Sequence, residues 1–247
     1  MKIIKISGNE LDNPHFLANF AQTVASLPLP ALIVHGGGKA IAELQMRLGL
    51  AVVKVDGLRV TDGESLEIAQ MVLSGQTNKR LVAALLAAGV AAIGLSGVDG
   101  GLLSCRKKQH HLMDLGFVGQ ISRVNADLLR QLLAQGLTIV LSPISLGEDG
   151  QIYNVNADEA AGAVAVALAA EQLDFVSNVP GVLAGPTMLS TLTVAQAEQL
   201  IAEKVIRGGM VAKVRAALDT VRQGVGRVRI VNLAGLKTGE GTVVEGE

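Results

Sequence analysis

Two lysines stand beside glycines near opposite ends of the chain, Lys5 in IIKISGN (3–9) and Lys213 in RGGMVAK (207–213). A charged side chain in a buried strand is expensive unless it faces a site or a partner. The apolar run around Lys5 reads as such a strand, or as an edge strand that turns Lys5 to solvent. Gly208 and Gly209 read as a helix start, with Lys213 about one turn inside. A cation there gains nothing from the helix dipole, so Lys213 is either solvated or kept for a strongly anionic ligand. HGGGK (35–39) also follows an apolar run and opens a helix. Its glycines let the backbone approach a ligand, and the free N–H groups of the helix start attract an anion. No Ser or Thr follows Lys39, so this is not a Walker A loop, and the GxGxxG dinucleotide fingerprint is absent. His35 and Lys39 read as structural or solvated.

GLRVTD (57–62) places Arg59 in a hairpin with apolar flanks. Arginine holds a carboxylate through two parallel hydrogen bonds, although spacing alone fits an exposed hairpin arginine equally well. In NVNAD (154–158), Asn154, Asn156 and Asp158 alternate just before an Ala-rich helix. Asp158 suits a first helical turn on dipole grounds, and the two asparagines add polar groups aimed at a ligand. SNVPGV (177–182) follows another apolar run and carries a Pro-Gly turn signal. Two lysines, glycine turns, one organising aspartate and a carboxylate-binding arginine together read as phosphoryl-transfer or anion chemistry without a P-loop.

These residues need a scaffold, and composition allows one. The 247 residues are 49% hydrophobic with 29 glycines, enough for a substantial core, and only 17% are charged, which excludes disorder. A net charge of −1, one Tyr, four Phe and no Trp argue against nucleic-acid binding. The single cysteine, Cys105, excludes an intrachain disulfide framework. MKIIKIS is too short for a signal peptide. Leu81–Val98 is uncharged over 18 residues, but the glycines at 89, 94 and 97 split it into a helix and a buried strand. The expectation is a soluble cytoplasmic protein with no membrane partner.

The pattern predicts strands over 3–7, 31–35, 90–95, 137–142, 173–177 and 227–232, and a last one near 242–244. Helices are predicted from Pro14 to Leu27, with Asn13 as cap, and from the HGGG turn to Leu48. Others are predicted over 63–73, 78–88, 125–135, 157–170, 193–203 and 209–223. Hairpins are expected around Asp56-Gly57 and within 101–122. Continuous apolar strands alternating with helices predict a mostly parallel sheet covered on both faces, a three-layer αβα sandwich. No linker divides the chain, so two lobes would share the sheet, about 1–150 and about 151–247.

IIKISG, VHGGGKAI, DGLRVTD, NKRLV, YNVNADEAA, SNVPGV and GGMVAK, in this order and over essentially the whole chain, resemble the amino acid kinase family. GLRVT and NVNAD together resemble its branch acting on N-acetyl-L-glutamate. The resemblance implies transfer of a phosphoryl group from ATP, with Mg²⁺ held through the nucleotide phosphates, to the side-chain carboxylate, a step of arginine biosynthesis. It implies that Lys5 and Lys213 stabilise the transferring group and that Asp158 orients both. Gly37, Gly38, Arg59, Asn154 and Asn156 would bind the acyl amino acid, whose binding is assigned to the first lobe together with these second-lobe asparagines. Gly8 of the first lobe and Asn178, Val179, Pro180, Gly181, Val182, Leu183, Val205, Ile206 and Arg207 of the second would line the nucleotide, whose binding is assigned to the second lobe.

Two positions depart from the family pattern: Ser7 stands for a usual glycine, and Asn178 for a frequent aspartate. SNVPG and NKRLV also resemble relatives that phosphorylate carrier-linked aminoadipate, whereas GLRVTD argues against that substrate. A regulatory module without catalysis is disfavoured, since both lysines and the aspartate are present. With the first strand beginning at Ile3, no N-terminal ring-forming helix is expected, which implies a homodimer that arginine does not inhibit.

Overall fold

The computed structural model describes residues 1–8 and 10–246. β1 (Lys2–Ile6) leads into α1 (Pro14–Ala25), capped by Asn13, whose side chain accepts from the N–H groups of His15 and Phe16. β2 (Leu32–His35) and α2 (Gly38–Arg47) precede a hairpin of β3 (Lys54–Val55) and β4 (Leu58–Arg59). α3 (Gly63–Gln70), a π-helical segment (Met71–Thr77) and α4 (Asn78–Ala87) then run without a break. Two separate helices were expected here. No proline or cap interrupts the segment, and its wider turn is pinned by Ser74 Oγ, 2.8 Å from Ser142 Oγ. The uncharged stretch divides as predicted, with α4 ending before Gly89, in the left-handed region at φ +81°, and β5 (Ala92–Ser96) following. No helix among the described residues is long and apolar enough to cross a membrane.

The hairpin expected within 101–122 is β6 (Leu103–Lys107) paired with β7 (Val118–Val124). α5 (Ala126–Ala134) and β8 (Thr138–Ser142) follow, then two strands that the pattern did not reveal, β9 (Ile144–Gly147) and β10 (Ile152–Val155). After α6 (Ala157–Ala167) and β11 (Gln172–Val176) come three more unforeseen short strands: β12 (Leu183–Ala184), β13 (Thr187–Met188) and β14 (Thr191–Thr193). α7 (Val194–Ala202), α8 (Gly209–Arg222), β15 (Val228–Val231), α9 (Leu233–Thr238) and β16 (Thr242–Glu245) complete the described chain.

The main sheet has the order β14-β16-β15-β11-β1-β2-β8-β5 and is parallel except where β16 runs against β15. β6, β7, β9 and β10 close into a small second sheet beside it. β1 lies between β2 and β11, so Lys5 is on a central strand, not an edge. All main-sheet strands from the first 150 residues lie on β1's side, and all later ones lie on β11's side.

Period-two alternation decides which way each β1 residue faces. Ile3 packs toward α5, α6, α7 and α8 with Leu173, Phe175, Val164 and Val214. Ile4 and Ile6 pack toward α1, α4 and α9 with Phe20, Leu81, Leu85 and Leu236. Helices therefore cover both faces, giving three layers. Burying such an aliphatic side chain is worth roughly 1.5–3 kcal/mol, so the sheet is the rigid part on which loops can be held.

Candidate active site

In an open α/β sheet, ligands bind beyond the carboxyl ends of the strands where the strand order reverses. Here that point is β1, flanked by β2 and β11. The three strands end in the glycine- and polar-rich turns 7–8, 36–38 and 177–179, and all three turns line one cavity of about 500 Å³. Gly8 is required there for close approach, because a Cβ would lie 2.4 Å from both Cα and N of Gly37. Gly208, at φ +57° and ψ −137°, lets the chain enter α8 with Gly209 and Met210 at the cavity wall.

Lys5, Asp158 and Lys213 meet at the centre. Lys5 projects from β1, Asp158 from the first turn of α6 and Lys213 from the second turn of α8. Lys5 Nζ lies 2.6 Å from Asp158 Oδ1, and Lys213 Nζ lies 3.4 Å from the same oxygen. The side chains are only 6%, 14% and 7% exposed. Burial alone would raise the Asp158 carboxyl, but the two ammonium groups outweigh it and hold the acid below the ordinary carboxylate range. Burial, and then the Lys5 charge, pull Lys213 down to about 8 against the opposing pull of Asp158. Two cations on one carboxylate leave surplus positive charge at the cavity floor.

Asn156 sets the position of Asp158. Its Oδ1 accepts from the N–H groups of Asp158 at 2.8 Å and Glu159 at 3.3 Å, capping α6. Asn154 donates to Thr61 Oγ1 at 3.3 Å, tying β10 to the end of the β3–β4 hairpin. Arg59 is 8% exposed, not solvated. It donates to Gly38 O at 2.7 Å and to Gln45 Oε1, while Gln45 donates to Ser65 Oγ at 2.7 Å. Burial lowers the Arg59 pKa, yet the group stays cationic because an arginine cannot lose its proton in proteins. Gln45 and Ser65 were not foreseen; their signal is a polar side chain on the buried face of an amphipathic helix, with Ala40 and Ile41 beside Gln45.

His35 plays a scaffold part. Its Nε2 accepts from Asn78 Nδ2 at 3.3 Å, so Nδ1 carries the proton toward Gly36 O at 3.1 Å. The two hydrogens of Asn78 Nδ2 are shared among His35, Leu95 O and Val140 O, which ties α4 to β5 and β8. Burial pulls His35 down to about 4, so the ring is neutral and braces the glycine turn from beneath.

The cavity wall includes Lys5, Gly8, Gly37, Gly38, Arg59, Asn154, Asn156, Asp158, Asn178, Val179 and Lys213. Lys54 and Glu10 join them, Lys54 sitting directly across the hairpin from Arg59. The remainder of the expected nucleotide loop lies beyond this wall. Pro180, Leu183, Val205 and Arg207 are exposed, while Gly181, Val182 and Ile206 are buried. The Val182 N–H is given to Thr242 Oγ1 at 2.8 Å and the Ile206 N–H to Leu200 O at 3.0 Å. No cluster of three His, Cys, Asp or Glu side chains capable of holding a metal occurs among the described residues.

The chain is similar to several known proteins. An acetylglutamate kinase of Chloroflexus aurantiacus is 50% identical over 248 residues, spanning 100% of this chain and 98% of the relative. A protein of Streptococcus mutans, smu.665, superposes with a TM-score of 0.84 at 31% identity, covering 99% of this chain and 98% of that one. N-acetylglutamate synthase from Neisseria gonorrhoeae, solved with coenzyme A and N-acetyl-glutamate, superposes at 0.87 with 26% identity, covering 100% of this chain and 59% of that one. The amino acid kinase family model matches residues 1–232, and with these relatives and this fold the chain belongs to the amino acid kinase family.

Proposed function

We propose that the protein transfers the terminal phosphoryl group of ATP to the side-chain carboxylate of N-acetyl-L-glutamate, giving N-acetyl-L-glutamyl 5-phosphate and ADP, in arginine biosynthesis. The observation that carries this reading is the convergence of Lys5 and Lys213 on one Asp158 oxygen inside the switch-point cavity. The full-length likeness to acetylglutamate kinases selects the acceptor.

A side-chain carboxylate has a pKa of about 4.3, so the nucleophile is ionised at neutral pH and no general base is needed. Catalysis then consists of positioning and of neutralising charge on the phosphoryl oxygens as they pass in line. Lys5 and Lys213 supply that charge, and Asp158 keeps the two ammonium groups from repelling each other out of place. Arg59, held by Gly38 O and Gln45, presents the remainder of its fork to a substrate carboxylate, with Asn154 beside it. The N–H groups of Gly37 and Gly38 and the close-packed Gly8 suit anionic oxygens. Asn178 and Val179 begin the nucleotide side, with 180–183 and 205–207 farther out.

The cavity's acids are Glu10 and Asp158, and two lysines engage Asp158. This donor set fits Mg²⁺ held through nucleotide phosphates better than a protein cage; bound there, the ion shields phosphate charge. We assign the enzyme to the cytoplasm as a homodimer, the commonest soluble assembly, and light scattering reads its mass directly.

ADP release, followed with free N-acetylglutamate against aminoadipate attached to a carrier protein, tests the acceptor. Turnover with the free amino acid is expected. Turnover with the carrier-linked compound alone would overturn the reading, as would release of ADP without either.

A further inference from the structure

Of the two lysines that meet Asp158, Lys213 is the more loosely held. The short contact of Asp158 Oδ1, 2.6 Å, goes to Lys5, and Lys213 is left at 3.4 Å from that oxygen. A second acceptor comes from the other side of the cavity, the hydroxyl of Ser7, 3.3 Å from Lys213 Nζ and 206 positions away in sequence. Ser7 is well fixed for this purpose. It is the first residue beyond β1, and its backbone N–H continues the ladder to Val176 O at 3.2 Å. The next position admits no side chain, since a Cβ on Gly8 would collide with Gly36 and Gly37. Ser7 is therefore the one residue of the turn 7–8 able to place a polar atom against α8.

We propose that Ser7 is a positioning residue, accepting a hydrogen bond from the Lys213 ammonium and turning its own hydrogen toward the anion in the cavity. The proposal rests on the phosphoryl-transfer reading for its anion, but not for its contact with Lys213. A hydroxyl can accept one hydrogen bond and still donate one. Where family members carry glycine at this position, Lys213 would keep Asp158 alone as its partner.

The charged groups facing Lys213 are Lys5 from β1 and Asp158 from α6, and β11 contributes the Phe175 ring, its centroid 5.7 Å from Nζ. β15 and β16, also packed against α8, bring Val228, Ile230 and Val244 to that core. Lys5 opposes the charge on Lys213 and Asp158 supports it, so an added acceptor favours the ammonium form. With Lys213 near 8, losing that acceptor removes ammonium from the upper working range of pH.

Two measurements on Ser7→Ala, Ser7→Gly and Ser7→Thr test this. The first follows acetylation of the Lys213 amine by acetic anhydride against pH, read by peptide mass spectrometry on the free protein. The midpoint should fall by roughly half to one pH unit in Ser7→Ala and Ser7→Gly and stay in place in Ser7→Thr. The second is the pH profile of kcat. At pH 8 the Ala and Gly variants should lose about two- to sixfold, with KM for N-acetylglutamate within about twofold and Thr restoring the rate. An unmoved labelling midpoint in both Ser7→Ala and Ser7→Gly overturns the proposal; the Gly variant, with the residue frequent in relatives, guards against a folding fault in the other. A moved midpoint in a protein that does not phosphorylate N-acetylglutamate would keep the Ser7 contact and discard the functional reading.

Discussion

Two clusters of buried charge sit on adjacent central strands and face opposite sides of the sheet. On β11, Asp174 is fully buried and pairs in register with Arg229 of β15, which is 2% exposed. Arg229 Nε donates at 2.7 Å, and Gln172 Nε2 reaches both carboxylate oxygens at 2.8 and 2.7 Å. Charge is matched and both oxygens are satisfied. On β1, Lys5 faces the other way and shares Asp158 with Lys213, two cations to one anion beside an open cavity. Burial of charge is therefore not by itself the mark of a site. A saturated, balanced pair carries fold stability, whereas an unbalanced set facing a cavity has capacity left for a ligand.

Substitutions that separate stability from turnover can break this comparison. The largest effect is expected for Asp174→Ala, which strands Arg229 without its partner and should cost about 3–5 kcal/mol of unfolding free energy. Urea denaturation measures it, and the folded fraction should keep kcat within about twofold. A wild-type midpoint would mean that the pair is not structural. Lys5→Ala should do the reverse: kcat falls on the order of 10²–10³, while stability changes little because Lys213 remains to neutralise Asp158. Unchanged kcat in that variant would remove Lys5 from the chemistry.

The surplus charge should also show in stability against pH. Lys213 lies near 8 in the folded protein against an ordinary 10.5, so between those values the unfolded chain binds more protons. Stability from this group then rises with pH through the window, and below pH 8 the buried ammonium is a full cost. Lys213→Met should be more stable than wild type at pH 7 by about 1–3 kcal/mol, a gap that closes toward pH 10.5. Thermal melts at several pH values would contradict this if the gap were constant. The smallest effect concerns the cavity rim. Arg59→Lys keeps the charge but loses the fork, so KM for N-acetylglutamate should rise about tenfold, with KM for ATP unchanged. Equal rises in both would make Arg59 a scaffold residue.

Much of the scaffold was legible because its signals are local. Continuous apolar runs marked β2, β5, β8 and β11, Asn13 marked the start of α1, and Asp56-Gly57 marked the β3–β4 turn. β9, β10, β12 and β13 escaped because strands of two to four residues are too short to show a period even where their partner is adjacent, and β14 because its partner β16 is distant in sequence. The π-helical segment escaped because its contact is Ser142, 68 positions away from Ser74.

The residues alone left Lys5 and Lys213 each with two readings. Lys5 was a site residue or an edge-strand cation, and Lys213 a ligand group or a solvated one. Their order in the chain, with GLRVT and NVNAD between them, was enough to select the family, since an ordered set of motifs is a property of sequence. That both lysines reach one oxygen of Asp158, that Ser7 faces Lys213, and that Asp174 pairs with Arg229 were decided only by tertiary structure. Each depends on which strands become neighbours and which face a side chain takes. Those are set by the packing of the whole sheet, so no local spacing records them.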